Sequence, residues 1–156
     1  LPPIDTVLLS HEDHIDNLNP EDCELLDGRK AFTTSDGARN LAPRPGVLAL
    51  KPWATTEACI DGTRFKITGT PCQQILGGEV TGLVLETESF GFHSSGPPNA
   101  IWISGETIYL DELVEIGRKW HVKVAVIHLG DARVPLSAGP VQIVMDNKSA
   151  VDLVGI

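Results

Sequence analysis

The sequence has few cysteines, few basic residues and no long apolar run, and each shortage argues against a class of protein. Its 156 residues include three cysteines, Cys23, Cys59 and Cys72, without a C-x-x-C pair, so neither a disulfide framework nor a cysteine-rich zinc site is expected. No stretch approaches the roughly 18 consecutive apolar residues of a transmembrane helix. No basic segment followed by an apolar one marks a secretory signal. Together these shortages predict a cytoplasmic protein with reduced thiols.

Basic residues are outnumbered, with 12 Lys and Arg against 21 Asp and Glu and a net charge of −9. Binding to duplex nucleic acid depends on Lys and Arg side chains that neutralise phosphates, and anionic membrane surfaces also attract basic segments. The charge balance therefore disfavours both partners. A hydrophobic content of 42% predicts an ordinary packed core, and the length suits one domain.

Short apolar runs separated by a few helical segments predict a mixed α and β chain. The runs expected to form strands are residues 4–9, 30–33, 47–50, 63–68, 80–85, 100–104 and 122–127. Helices are expected between Asn19 and Gly28, over 109–120 and from Lys148 onward, with a short helix or turn at 35–41. Three strand ends run into polar loops, at 11–17, 70–74 and 104–107. Because loops held by a rigid sheet often carry functional residues, these three are the candidate site.

The first of these loops places His11, Asp13, His14 and Asp16 within six residues. Imidazole and carboxylate groups are suitable ligands for Zn²⁺, Mn²⁺ or Fe, and a tight polar turn can aim three of them inward. The same side chains can instead cap the following helix or face solvent. Since the cluster comes directly after a buried strand, metal binding is the favoured interpretation.

Signatures of other chemistries are missing from the sequence. The Ser94-Ser95-Gly96 segment is not the G-x-S-x-G elbow of a serine hydrolase. Neither a phosphate-binding loop nor a G-x-G-x-x-G turn after a strand is present. His93 and His128 are expected to be structural or surface histidines.

At this point the sequence resembles the metallo-β-lactamase-fold hydrolases. Residues 7–18, VLLSHEDHIDNL, are similar to their metal-binding signature, in a variant found in the lactonase-like branch. Four further segments resemble the family in the same order. Residues 69–74 fall where the branch has a Thr-Pro segment ending in a metal-binding His, and 78–85 match the strand that follows. Residues 103–107 fall where the family has Ser-Gly-Asp-Thr, and 128–135 resemble its Leu-Gly-x-x-Arg segment.

Three positions depart from the family pattern, which predicts a degenerate metal site. Asp13 stands near a position that is commonly His, Gln74 replaces a metal-binding His, and Glu106 replaces an Asp that bridges two metals in the family. Gln is a weak, neutral oxygen donor and a poor zinc ligand beside imidazole. The extra methylene of Glu moves its carboxylate by more than metal–ligand distances tolerate unless the backbone adjusts.

The resemblance implies an α+β fold that is part of an αββα sandwich, and a metal-assisted hydrolysis of a small-molecule ester, lactone or phosphoester. The implied metal ligands are His11, His14, Asp16 and Glu106, which would hold one or two Zn ions, or Mn or Fe. Asp16 is alternatively the catalytic residue that orients the attacking water. Asp13, Gln74 and Asp131 are the degenerate ligand positions, although Asp131 fits a simple turn residue equally well.

Two other functional classes stay open on the sequence. The departures at Asp13, Gln74 and Glu106 favour a catalytically inactive relative that keeps the fold for binding or assembly, a pseudoenzyme. A structural interaction protein with an acidic surface is the third hypothesis. A purified protein without zinc, manganese or iron near stoichiometry would exclude the hydrolase hypothesis.

The resemblance also implies that residues 1–156 are a single domain of this type and an internal portion of a larger one. The family fold has strands before Leu1 and a final metal-binding His beyond Ile156. Half of such a sandwich would expose sheet edges and an apolar face. We therefore expect further chain, or dimerisation into a homo-oligomer, to cover them.

Overall fold

Ten strands and three α-helices alternate along residues 3–74 and 77–155, which the computed structural model describes. The strands are β1 (Thr6–Leu8), β2 (Lys30–Thr33), β3 (Val47–Ala49), β4 (Thr55–Ile60), β5 (Thr63–Thr70), β6 (Gly82–Thr87), β7 (Asn99–Ile103), β8 (His121–Val126), β9 (Arg133–Leu136) and β10 (Gly139–Gln142). The α-helices are α1 (Ser35–Asn40), α2 (Val114–Lys119) and α3 (Asn147–Val154). Short 3₁₀ helices cover Asp22–Leu26, Glu88–Phe90 and Asp111–Leu113.

The strands form two main sheets and a hairpin. The first sheet is parallel, in the order β1-β2-β3. The second has the order β4-β5-β6-β7-β8, antiparallel from β4 to β7, with β8 parallel to β7. Strands β9 and β10 pair with each other. The C-terminal ends of β5, β7 and β8 and the N-terminal end of β6 therefore lie side by side at one end of the larger sheet.

Alternating side chains of β6 show how the layers stack. Leu83 and Leu85 pack with Phe32 of β2 and Ile67 of β5 in a core between the two sheets. Val84 points the other way, because successive side chains of a strand face opposite sides of the sheet. It packs in a second core with the outer helices, whose other buried members are Ala100, Trp102, Leu113, Ile116, Trp120, Met145 and Ala150.

Helix α1 covers the outer face of the smaller sheet. It begins after Thr34, whose Oγ1 accepts a hydrogen bond from the Gly37 N–H at 2.9 Å. A Cβ at Gly37 would lie 2.6 Å from Oγ1 of the buried Thr33 in β2, so a small residue is required where α1 meets the strand. The layer order is helix, sheet, sheet, helix, as the resemblance implies.

Most predicted elements are confirmed, and some have different bounds. Asn19 Oδ1 accepts the Asp22 N–H at 2.8 Å where the first helical segment begins, but that segment is a short 3₁₀ helix, Asp22–Leu26. The helix predicted over 109–120 is shorter, because Tyr109 and Leu110 precede a 3₁₀ turn that continues into α2. The strands β4, β9 and β10 were not predicted.

One edge of the larger sheet is apolar and exposed. Within the described residues, β8 pairs with β7 alone, and Val124 and Val126 are 50% and 48% exposed. The strands expected before Leu1 and the ligand loop expected after Ile156 lie outside the described residues. No helix in the part of the chain described has the length and apolarity that a bilayer crossing requires.

Candidate metal centre

Three polar loops meet where strands of the two sheets end. The loop after β1 is joined to the start of β6, because the Thr81 N–H donates to the Ser10 carbonyl at 3.0 Å. The loop after β5 is joined to the loop after β7 twice. The Gln73 N–H donates to Thr107 Oγ1 at 3.0 Å, and the Ile108 N–H donates to the Gln73 carbonyl at 3.1 Å. The predicted loops at 11–17, 70–74 and 104–107 are therefore neighbours.

His11, His14 and Glu106 lie together among these loops, and we call this group the centre. Each offers one ligand atom, and these atoms all lie within 4.8 Å of one another. His11 is fully buried, and its Nε2 lies 3.8 Å from Glu106 Oε2. The two imidazole rings meet edge to face, with centroids 5.0 Å apart. Two of the three side chains come from one loop and the third from another, so the fold is needed to assemble them.

Hydrogen bonds fix the shape of the histidine loop. The Asn17 side-chain amide donates to the His11 carbonyl, and the Asn17 and Leu18 N–H groups both donate to the His14 carbonyl at 3.0 and 2.9 Å. Ser10 Oγ lies 2.9 Å from His11 Nδ1. A neutral His11 that donates its Nδ1–H to Ser10 presents the Nε2 lone pair to the centre.

Gln74 contacts the same carboxylate oxygen as His11. Its Nε2 donates to Glu106 Oε2 at 2.7 Å, and the side chain is only 9% exposed. Gln74 Oε1 is also buried and has no hydrogen-bond partner among the described residues, and the same holds for His11 Nε2. Buried polar atoms without partners are rare in folded proteins and are often explained by an ion or water.

Gly77 marks a small space bordered by three of these polar side chains. A Cβ placed on Gly77 would lie 3.1 Å from Asp13 Oδ2 and 3.5 Å from both Gln74 Oε1 and His14 Nε2. The backbone there has a φ of +151°, which residues with a side chain rarely adopt. A residue without a side chain therefore keeps open the space that these oxygen and nitrogen atoms face.

The local electrostatics keep His11 neutral and Asp13 charged. Burial lowers the pKa of His11, although the Glu106 carboxylate acts in the opposite direction. Burial alone would raise the pKa of Asp13, but the hydrogen bond from the Gly78 N–H, at 2.7 Å, helps to hold it below its ordinary value. A neutral imidazole and an ionised carboxylate are the forms that bind a metal.

The predicted site residues fall into two groups in the structure. His11, His14 and Glu106 come together, with Gln74 and Asp13 beside them. Asp16 is exposed and is outside the group of three ligand atoms found among the described residues. Asp131 is exposed and pairs with Arg133 at 2.9 Å. The roles of Asp16 and Asp131 as ligands, and of Asp16 as a catalytic residue, stay predictions.

Sequence reasoning missed Ser10 and Gly77 as parts of the centre. Ser10 precedes the histidine cluster directly, and Gly77 belongs to a Gly-Gly pair shortly after Gln74. The glycine pair is a signal for close approach of a backbone to another group. Its meaning depends on the loop after β5 meeting the histidine loop, which only the fold shows.

A cleft of about 360 Å³ opens beside the centre. Gln74, Cys72 and Glu79 line it together with residues of α1 and of the loop after β3, including Ser35 and Lys51. A larger groove of about 800 Å³ lies at the opposite end of the larger sheet. Its charged residues Lys66 and Glu86 pair with each other there, at 3.7 Å. Of the side chains at the centre, Gln74 lines the smaller cleft and none lines the larger groove.

The residues at this centre fit a metal ion. They comprise two imidazoles, one carboxylate and one amide oxygen, and two of the four offer buried atoms without a partner among the described residues. Imidazole and carboxylate donors suit Zn²⁺, Mn²⁺ and Fe²⁺. The number of imidazoles suits one ion better than two.

Comparison with known proteins shows the fold. No protein-family model matches the chain, and no curated protein matches it. Among solved structures, it is similar to Igni18, a novel metallo hydrolase from the hyperthermophilic archaeon Ignicoccus hospitalis KIN4/I. The TM-score is 0.65 at 19% identity, over 96% of this chain and 57% of that one. It is also similar to an isothiocyanate hydrolase from Delia radicum gut bacteria, with a TM-score of 0.68 at 18% identity over 97% of this chain and 58% of that one.

These similarities confirm the predicted fold class, the metallo-β-lactamase type of αββα sandwich. The chain spans less than three fifths of the length of either neighbour. The lactonase-like branch stays a prediction.

Proposed function

We propose that the chain is a metal-dependent hydrolase that acts on a small ester, lactone or phosphoester. The observation that carries this proposal is the group formed by His11, His14 and Glu106, whose ligand atoms lie within 4.8 Å of one another. The group lies at the strand ends where the loops of both sheets meet, and a cleft large enough for a small molecule adjoins it. One fold neighbour is named a metallo hydrolase.

His11, His14 and Glu106 would hold the ion, with Gln74 and Asp13 alongside. When bound there, an ion would lower the pKa of a bound water and would polarise a carbonyl or phosphoryl oxygen. All other contributions to the hydrolysis come from residues of the chain, whose contacts are described next.

The chain keeps its donors in the forms and positions that this chemistry requires. Burial lowers the pKa of His11, so its imidazole is neutral at pH 7. The Gln74 amide donates to Glu106 Oε2 and fixes the orientation of that carboxylate. Such neighbours of a metal ligand typically matter by about 10–100-fold in metal affinity or activity.

Asp16 is our candidate for the residue that orients the attacking water. It is exposed and lies two residues beyond His14, so it is accessible from the solvent side. Its replacement by Asn keeps the size and removes the charge. We expect Asp16→Asn to lower kcat while metal content is retained.

The experiment is a hydrolysis assay with the full chain, stripped of metal and then loaded with Zn²⁺ or Mn²⁺. Substrates are a model ester, a lactone, a phosphodiester and an isothiocyanate, the last because one fold neighbour is named for that activity. We expect hydrolysis of at least one substrate, dependent on added metal. His14→Ala should abolish it, whereas the matched variant His128→Ala, at an exposed histidine outside the centre, should not.

A catalytically inactive protein of the same fold is the second candidate. It is favoured by the hydrogen bond that occupies Glu106 and by the position of Asp16 outside the group of three ligand atoms found among the described residues. A folded protein that binds metal and hydrolyses none of the four substrates supports this second candidate over the first.

A further inference from the structure

We propose that Gln74 is an oxygen ligand of this centre and sets its metal preference, favouring Mn²⁺ relative to Zn²⁺. The inference rests on the proposed metal-binding function and adds which residue shifts the relative affinity of the site for the two ions. The evidence for it is the orientation, the burial and the surroundings of the Gln74 side chain.

The orientation of the Gln74 amide follows from its partner. An ionised carboxylate accepts hydrogen bonds and donates none. Glu106 Oε2 lies 2.7 Å from the Gln74 amide nitrogen, so the –NH₂ group faces Glu106, and the carbonyl oxygen lies 3.5 Å from the point that a Gly77 Cβ would take, as does His14 Nε2. The ambiguity between amide oxygen and nitrogen that affects many glutamines is removed here by chemistry.

The burial of that oxygen calls for a partner. Gln74 is 91% buried, since 9% of it is exposed, and Oε1 has no hydrogen-bond partner among the described residues. Leaving a buried polar atom unsatisfied costs about 1–3 kcal/mol. A cation at this position satisfies the oxygen, and a neighbouring apolar side chain does not.

The surroundings of the oxygen are those of a cation site. Gln74 Oε1, Asp13 Oδ2 and His14 Nε2 all lie within 3.5 Å of the point that a Gly77 Cβ would take. A carboxylate oxygen, an amide oxygen and an imidazole nitrogen therefore border one small space. None of the three can donate a proton to another in its metal-binding form, so nothing in the group itself satisfies the amide oxygen.

The kind of donor determines the kind of ion. Carbonyl and carboxylate oxygens suit Mn²⁺, whereas imidazole suits Zn²⁺. Zn²⁺ in proteins is bound by Cys, His and carboxylate side chains, and an amide oxygen is a weak replacement for an imidazole. With Gln74 in place, the centre has two imidazoles and otherwise only oxygen. The intrinsic preference of such a site for Zn²⁺ over Mn²⁺ is thus reduced.

The test measures the affinities of the full chain for Mn²⁺ and Zn²⁺ by titration calorimetry, with a competing chelator for Zn²⁺, and takes their ratio. Gln74→His should shift this ratio toward Zn²⁺ on the order of tenfold, the scale on which single changes at a metal site act. Gln73→His is the matched control, because that glutamine is exposed and one residue away. It should leave the ratio unchanged.

Gln74→Leu serves if the histidine variant fails to fold, since it removes the oxygen at similar size. It should weaken Mn²⁺ binding on the order of tenfold and Zn²⁺ binding less. An equal change for both ions in the Gln74 variants, or a ratio identical to that of Gln73→His, overturns the role of Gln74 while the metal site stands. Failure of the unmodified chain to bind either ion overturns the metal site and this inference together.

Discussion

Replacement of Gly77 by Ala tests whether the space beside His14 is where the ion binds. The new methyl group would lie 3.1 Å from Asp13 Oδ2 and 3.5 Å from Gln74 Oε1 and His14 Nε2. A contact of 3.1 Å is tighter than ordinary van der Waals distance, so Asp13 must shift. The methyl group takes the position that the three donor atoms border, and we expect the variant to lose metal binding.

The same substitution has a cost that is unrelated to metal. Gly77 has a φ of +151°, and a side chain in that region costs about 1–3 kcal/mol. Gly96→Ala is the matched control. Gly96 has a φ of +112°, lies in an exposed turn, and its added Cβ meets nothing within 4 Å. Both variants should lose stability by a similar amount without metal.

The assay is thermal unfolding with and without Mn²⁺ or Zn²⁺. Metal at 100 times its Kd stabilises the folded state by about 2.7 kcal/mol, which for a domain of this size raises Tm by roughly 5–10 °C. The unmodified chain and Gly96→Ala should both show this rise, and Gly77→Ala should show none. A full rise in Gly77→Ala would refute the placement of the ion beside Gly77.

Three further predictions concern the thiols, the last helix and the core. Burial raises the pKa of the Cys72 thiol to about 12, so at pH 8 a thiol reagent should label the exposed Cys59 much faster than Cys72, as peptide mapping would show; equal rates would contradict it. The N–H of Ser149 donates to Asp146 at the start of α3 and lowers the pKa of that carboxyl. The stability it contributes is present above its unfolded-state pKa and is lost as pH falls through the folded value. Asp146→Asn should therefore flatten the acid side of a stability–pH curve, and an unchanged slope would count against the cap. Ile67→Val, at a fully buried position between the sheets, should lower the free energy of unfolding by about 0.5–1.5 kcal/mol in urea, and no loss would contradict this account of the core.

The fold could be predicted where the pattern of apolar residues in the sequence follows the burial of the strands. Residues 82–85 of strand β6 are apolar because both faces of the strand are covered there, by the other sheet and by the outer helices. Strand β4 was missed because it lies at an edge with mixed exposure. Asp61-Gly62 supplied the signal, since Asp-Gly between two β-rich runs predicts a two-residue hairpin. Both residues indeed have positive φ, of 45° and 73°.

The candidate site could be predicted only as separate loops. Polar residues after strand ends pointed to residues 11–17, 70–74 and 104–107, and the structure places these loops together. Which side chains converge depends on loop geometry, and loops lack the sequence periodicity that predicts helices and strands. Asp16 lies in a turn two residues after His14 and is exposed, and its role stays a prediction. The approach of Gly77 to His14 depends on contacts between segments more than 60 residues apart in sequence.

The metal content of the purified full chain tests the central claim most directly. Elemental analysis, after loading with Mn²⁺ or Zn²⁺ and removal of free ion, should find close to one ion per chain. The same measurement on His14→Ala should find almost none, with His128→Ala equal to the unmodified chain. A folded chain that retains no manganese, zinc or iron near stoichiometry would contradict the proposal that His11, His14 and Glu106 form a metal centre.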